Sequence, residues 1–369
     1  MRKIASHIIY PIASEPIKNS YLVLDDDGII LDLVNTNGNL KEIAGLEYYS
    51  GVLVPGFVNA HCHLELSHLK DAVKPGLGLT HFILQIPKLR IYPEEIIRGK
   101  AEKQLRYMWS RGISGLGDIM NTDSTISLKK KTPIRTYNFV ELFNLGNRAE
   151  TEIINTGKLL FEELSSLKLK GEFTPHSKYA VSKELLQHIL KQKEKKIASV
   201  HFLEHLSEKN FSFDDIIEFL NALSEYENVL LIHNLYLTAA LLQQIMEQPI
   251  FNKLFWVLCP NSNLFIENQL PNMELFANSQ LKVCLGTDSL ASNKQLSILE
   301  EMKTLVKTFP NIAFNDLIKW ATQNGAEALS MNDKLGSFEK GKKPGVLLLS
   351  NFDFNTNQIT QKSEVTRLL

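Results

Sequence analysis

From Val52 onward the chain alternates short apolar runs with amphipathic stretches of helical length, the pattern of repeated βα units that build a parallel sheet. The apolar runs are Val52–Val58, Ile113–Asp118, Ile134–Glu141, Gly171–Pro175, Ile197–Phe202, Val229–Ile232, Phe255–Cys259 and Lys282–Gly286. Helix candidates lie between them at Pro93–Arg111, Ala149–Leu164, Ser182–Lys193, Phe213–Tyr226, Thr238–Gln248 and Gln295–Thr308, several opened by a Ser or Thr cap. Eight βα units make an α/β chain of TIM-like (β/α)8 type, whose active sites sit at the C-terminal ends of the strands.

The ends of the chain read differently. Ile4–Tyr10, Ser20–Leu24 and Ile29–Val34 look like short strands, the last two joined by the turn Asp25-Asp26-Asp27-Gly28. After a helix candidate at Phe314–Leu329 and the turn-rich stretch from Gly336 to Gly345, strand-like text returns at Val346–Ser350, in reach of pairing with the N-terminal strands.

Of the 369 residues, 40 are basic and 41 acidic, so the balance offers no electrostatic footprint for nucleic acid. Cys62, Cys259 and Cys284 are too few and scattered for a disulfide framework, which favours a reducing compartment. Met1-Arg2-Lys3 is basic, but Ser6, His7, Pro11 and Glu15 break up what would be a signal-peptide core, and no apolar run approaches the roughly 18 residues a bilayer needs. A cytoplasmic protein with no membrane partner is expected.

His61-Cys62-His63 follows the first apolar run directly. Residues two apart on a strand share a face, so both imidazoles would point toward the barrel axis, a geometry suited to one ion. Alone, a His-x-His is equally a pair of satisfied polar residues. However, His201, His233 and Asp288 also follow candidate strands, and in a barrel those ends converge. Packing does not account for four such ends, because an unpaired buried carboxylate or imidazole costs several kcal/mol.

With these residues in view, the chain resembles the amidohydrolase superfamily, in its aminohydrolase branch of adenosine-like and S-adenosylhomocysteine deaminases. The resemblance is carried by Pro55 to Leu64, Thr174-Pro175-His176, His201-Phe202-Leu203-Glu204, His233-Asn234, Cys259-Pro260-Asn261-Ser262-Asn263 and Gly286-Thr287-Asp288. It implies a barrel at 53–334 and a small β-sandwich made from 1–52 plus 335–369. It also implies one divalent ion, zinc with iron as the alternative, held by His61, His63, His201 and Asp288. Glu204 would shuttle a proton between the activated water and a substrate ring nitrogen, His233 would hydrogen-bond that water, and Asp288 would hold or accept its proton.

Substrate contacts are expected from His176, on the ring or ribose; from Glu65, on sugar hydroxyls; and from Arg148, on a carboxylate. Plain structural roles stay open for all three. Asn263 is expected to order a loop and Cys62 to be a buried thiol. One departure is Lys178, where relatives carry a small residue or proline; a carboxylated lysine there would be out of step with the strand end. Within the branch, Asn59 to Ser67 and the compact length resemble the aminodeoxyfutalosine deaminases of the futalosine route to menaquinone. That implies deamination of 6-amino-6-deoxyfutalosine to futalosine and ammonia. Methylthioadenosine, S-adenosylhomocysteine or adenosine are alternative substrates, with guanine deamination or chlorohydrolase chemistry more remote. A catalytically inactive scaffold is the alternative of another class. A homodimer is allowed but not fixed by the sequence.

Overall fold

The computed structural model describes residues 1–146, 148–192, 195–277 and 280–369. Four strands open the chain: β1 (Arg2–Ile9), β2 (Ile17–Leu24), β3 (Ile30–Val34) and β4 (Leu46–Pro55). Eight more form the central sheet system: β5 (Phe57–Cys62), β6 (Ile113–Met120), β7 (Arg135–Leu142), β8 (Gly171–Pro175), β9 (Ile197–Phe202), β10 (Asn228–His233), β11 (Leu254–Leu258) and β12 (Lys282–Leu285). They pair in parallel as two four-stranded sheets, β5 to β8 and β9 to β12.

Side chains and strand-end carbonyls stitch the two sheets into a ring. At one seam Thr174 Oγ1 donates to Ser199 O (2.6 Å) and accepts from Ser199 N (2.8 Å), while His201 N donates to His176 O (2.7 Å). At the other, Asn59 Nδ2 donates to Thr287 Oγ1 (2.8 Å), and Thr287 N and Asp288 N both donate to His61 O (3.0 and 3.1 Å). The strands are buried on both faces, as parallel strands under helices must be. Alternate residues enter different clusters: Leu230 and Ile232 pack with Ala60 and Phe139, whereas Leu231 packs with Val200, Leu241 and Trp256.

Ser182, Ser212 and Thr238 cap their helices by accepting from Leu185 N, Asp215 N and Leu241 N. The helix expected at Ser182–Lys193 spans Lys183–Leu190, and Lys193 lies outside the described residues. The stretch expected as one helix at Phe314–Leu329 is two, Phe314–Ala321 and Gln323–Ala328, because Thr322 leaves helical geometry at φ −133° and ψ −85°. A further helix, α1 (Leu79–Leu89), stands over the C-terminal ends of the strands.

The last strands, β13 (Val346–Ser350) and β14 (Glu364–Arg367), join the first four in one six-stranded sheet of order β14-β13-β4-β1-β2-β3. The strands of both chain ends thus pair with one another, as expected of the small terminal unit, and one face of their sheet packs Ile4, Leu22, Leu24, Leu53 and Val346 together with Phe338. The run Val52–Val58 is divided between the two systems. Pro55 ends β4, Phe57 begins β5, and a Cβ on Gly56 between them would fall 2.0 Å from Ser114 Oγ and 2.3 Å from Pro344 O. Among the described residues no helix is long and apolar enough to cross a membrane.

Candidate metal centre and active site

Four strands of the ring end on the residues singled out above. His61 closes toward the end of β5 with His63 just beyond it, His201 lies on β9, His233 ends β10, and Asp288 follows β12. One ring nitrogen each of His61, His63 and His201 lie within 4.8 Å of one another. Asp288 Oδ1 is 3.7 Å from His61 Nε2 and 3.5 Å from His63 Nε2. Both nitrogens of His61 are buried without a hydrogen-bond partner, a costly arrangement unless something else occupies them.

This donor set fits a divalent cation. His61, His63, His201 and Asp288 are the nitrogen and carboxylate donors that would hold such an ion. Charge points the same way. Burial works to raise Asp288 and Glu204, yet the imidazoles around them hold both below their ordinary range. Burial works to lower His201, but Glu204 and Glu141 outweigh it and raise the ring to about 9. Several buried carboxylates therefore compete for positive charge, which protons supply when no ion does. The identity of the ion does not follow from these ligands, which accept zinc and iron alike.

The surroundings fix each group. Ser262 Oγ and Ser292 Oγ donate to Asp288 Oδ2 (2.6 and 2.7 Å), leaving Oδ1 as the oxygen that faces the histidines. His233 Nδ1 is 2.8 Å from Asn263 Oδ1, so Nε2 is the nitrogen turned to the site, 3.6 Å from Glu204 Oε2. Tyr179 donates its hydroxyl to Glu204 Oε1 (2.7 Å). Glu208 accepts from the backbone N–H groups of Leu203, Glu204 and His205 and pins that turn. Leu203, His233 and Asp288 all have left-handed backbone (φ 51°, 76° and 54°), which costs a non-glycine residue on the order of 1 kcal/mol and persists where the fold requires it.

Glu141, at the end of β7, was not singled out from sequence. Its Oε1 lies 3.3 Å from His201 Nδ1, in the manner of a carboxylate that orients a ligand histidine through its far nitrogen. The run Ile134–Glu141 ended on an acid just as Ile197–Phe202 carried His201, so the same strand-end rule would have found it. No sequence signal pointed to Tyr179, Ser262 or Ser292 as partners. Asn263 orders more than its loop, since it holds His233.

The expected substrate contacts fare unequally. His176 lines the cavity above the cluster and stacks on His201 (centroids 4.3 Å apart, 19° between planes); burial brings its ring down to about 4, so it is neutral near pH 7. Glu65 is not an open rim residue. It is 3% exposed, and its carboxylate accepts from Arg90, Asn121 N, Thr122 N and Thr122 Oγ1, leaving little to offer a sugar. Arg148 is also elsewhere: its side chain is 56% exposed and pairs with Glu152, away from the cavity lining. Lys178 rests over the Phe211 ring rather than in the cluster, which removes the carboxylated-lysine alternative, and Cys62 is fully buried.

The chain is 26% identical over 387 residues to an adenosine deaminase of Helicobacter pylori, covering 94% of this chain and 91% of that protein. It is 27% identical over 363 residues to a 5-methylthioadenosine/S-adenosylhomocysteine deaminase of Clostridium tetani, covering 90% and 81%. Among solved structures, Helicobacter pylori aminofutalosine deaminase in complex with methylthio-coformycin matches with a TM-score of 0.79 at 22% identity over 97% of this chain and 94% of that one. An adenosine deaminase from Xanthomonas campestris with bound zinc matches at 0.77 and 20% identity over 96% and 85%. The likeness therefore runs through barrel and terminal sheet alike. A model of the amidohydrolase family matches residues 52–365, and the chain belongs to that family.

Proposed function

We propose that the chain is a metal-dependent hydrolytic deaminase of an adenine nucleoside, with 6-amino-6-deoxyfutalosine as its substrate. The observation that carries the reading is the convergence of His63, His201, Asp288, Glu204 and His233 on one cavity of about 310 Å³, with the fully buried His61 beside His63, His201 and Asp288. His61, His63, His201 and Asp288 are the proposed ligands of one divalent ion, zinc or iron. Such an ion supplies an activated water near neutral pH.

The chain's own residues do the rest. His233 Nε2 and Asp288 Oδ1 border the space where that water would lie, and they orient it toward the amino-bearing carbon of the ring. Asp288 Oδ1 takes a proton from it, because Oδ2 is already occupied by two serine hydroxyls. Glu204, held ionised by the surrounding imidazoles, carries one proton of that water to the neighbouring ring nitrogen through Oε2, since Oε1 is occupied by Tyr179. Asp288 passes the other proton of the water to the amino group, and the carbon–nitrogen bond breaks to release ammonia and leave a ring carbonyl. His176 offers a neutral ring on the cavity wall for the substrate to pack against.

The relatives that act on adenosine, methylthioadenosine and S-adenosylhomocysteine favour the broader adenine-nucleoside class. The choice of 6-amino-6-deoxyfutalosine rests on the sequence resemblance and on an apolar cavity mouth, which suits a bulky substituent. An ammonia-release assay of metal-loaded protein on aminodeoxyfutalosine, methylthioadenosine, S-adenosylhomocysteine and adenosine tests both levels. Fastest turnover of aminodeoxyfutalosine is expected; preference for another nucleoside corrects the substrate, and consumption of none removes the class and favours a scaffold.

A further inference from the structure

The cavity changes character between floor and mouth. Its floor is histidine and carboxylate, whereas much of its wall is one face of α1. Phe82, Ile83, Ile86 and Arg90 stand at i, i+1, i+4 and i+8 along that helix and its C-cap, the spacing of a single helical face. The stripe runs about 12 Å along the axis. Only Leu79 of α1 is fully buried; Phe82 and Ile86 are half-buried, resting on the small cluster of Leu66, Leu69 and Ala291 while also lining the cavity.

Arg90 is the one lysine or arginine among the described residues that line this cavity. Its side chain is 27% exposed, and its guanidinium makes a single hydrogen bond among them, to Glu65 Oε1. Glu65 has three further donors on Oε2, so the acid is anchored independently and works as a splint. Most of the guanidinium's five N–H donors are left for something else. A guanidinium at the end of an apolar stripe matches an apolar arm that ends in an anion. One cation beside a carboxylate suits a monoanion better than a phosphate, and the planar fork fits a carboxylate edge-on.

We infer that Arg90 anchors a carboxylate carried at the far end of an apolar arm on the sugar side of the substrate, with Phe82, Ile83 and Ile86 packing along that arm. This role, which the sequence reading gave to Arg148, rests on the adenine-nucleoside reading above. Arg90 sets which nucleosides enter, while the floor performs the same chemistry on any of them.

The test compares 5′-S-(4-carboxyphenyl)-5′-thioadenosine with 5′-S-phenyl-5′-thioadenosine and adenosine on metal-loaded protein. The wild type should favour the carboxylated compound over the phenyl one in kcat/KM. Arg90→Met should cut that ratio about 10- to 100-fold, the factor one charge-assisted pair sustains, and Arg90→Lys should cut it less. Equal kcat/KM for both compounds in the wild type overturns the inference, whatever the variants do. So does a loss in Arg90→Met that falls on both compounds alike, the mark of a structural role through Glu65. Deamination of adenosine in either case leaves the underlying reading standing; deamination of none of the three removes the reading, and the inference with it.

Discussion

Glu204 has two oxygens in different company, and the difference assigns their work. Oε1 accepts from the Tyr179 hydroxyl, and Oε2 faces His233 at 3.6 Å. Glu204→Gln keeps the shape but cannot cycle a proton, so metal content measured by atomic emission should match the wild type while kcat falls on the order of 10²- to 10⁴-fold. Near-normal turnover would take Glu204 out of the mechanism. Tyr179→Phe removes one hydrogen bond from the carboxylate and leaves the ring in place. It should lower kcat about tenfold with KM little changed; a rise in KM alone would make Tyr179 a substrate contact instead.

At the scale of elements, the readable part of the sequence was the strand end. An apolar run followed by His or Asp gave His61, His63, His201, His233 and Asp288 because strands of a parallel ring are buried on both faces and must stop where polar groups start. Among the features that escaped, the following did so for physical reasons. The junction of β4 and β5 at Gly56 was hidden because both flanking strands are fully buried there, so apolar text runs through the break. The helix α1 was hidden because its apolar residues are divided between a cavity wall and a small cluster with Leu66, Leu69 and Ala291, and Thr80, His81 and Pro87 interrupt the pattern. Strand β14 is only four residues long, and all of them but Val365 are polar. Partners such as Tyr179 and Ser292 depend on the closure of turns and leave no periodic trace.

The β12 end also carries a tight packing constraint. A Cβ on Gly286 would lie 2.9 Å from His61 Cβ, 3.0 Å from Cys259 Sγ and 3.1 Å from His61 O, the carbonyl that holds Thr287 and Asp288. Gly286→Ala should therefore push two ligand-bearing strands apart. Urea unfolding should register a loss of about 1–3 kcal/mol, and metal content should fall below one ion per chain. Wild-type stability with full metal content would show that the seam gives way without moving the site.

For the whole molecule, stability and the site are linked through Glu301. This acid is fully buried; it accepts from Asn261 N and Asn293 Nδ2 (both 2.8 Å), and Asn293 in turn donates to Thr287 O (2.8 Å) beside Asp288. Burial raises it to about 8. In the unfolded chain a glutamate ionises near pH 4.3. Between those values the folded state holds a proton that the unfolded state has released, so this group's contribution to stability falls as pH rises from about 4.3 to about 8 and is lowest above that. Glu301→Gln cannot ionise. Its Tm relative to wild type, both metal-loaded, should climb by several degrees between about pH 5 and pH 8.5. A pH-independent offset in calorimetry would mean that Glu301 stays ionised in the fold.

We propose that one divalent ion, held by three histidines and Asp288, makes this chain a deaminase of adenine nucleosides. The most direct test is to strip the protein with a chelator, return zinc or iron(II) in steps, and follow ammonia release from aminodeoxyfutalosine and adenosine at each step. Turnover should rise in proportion to bound metal, level off at one ion per chain and be abolished in His61→Ala. Turnover undiminished in the stripped protein, or no release from either nucleoside at full occupancy, would contradict it.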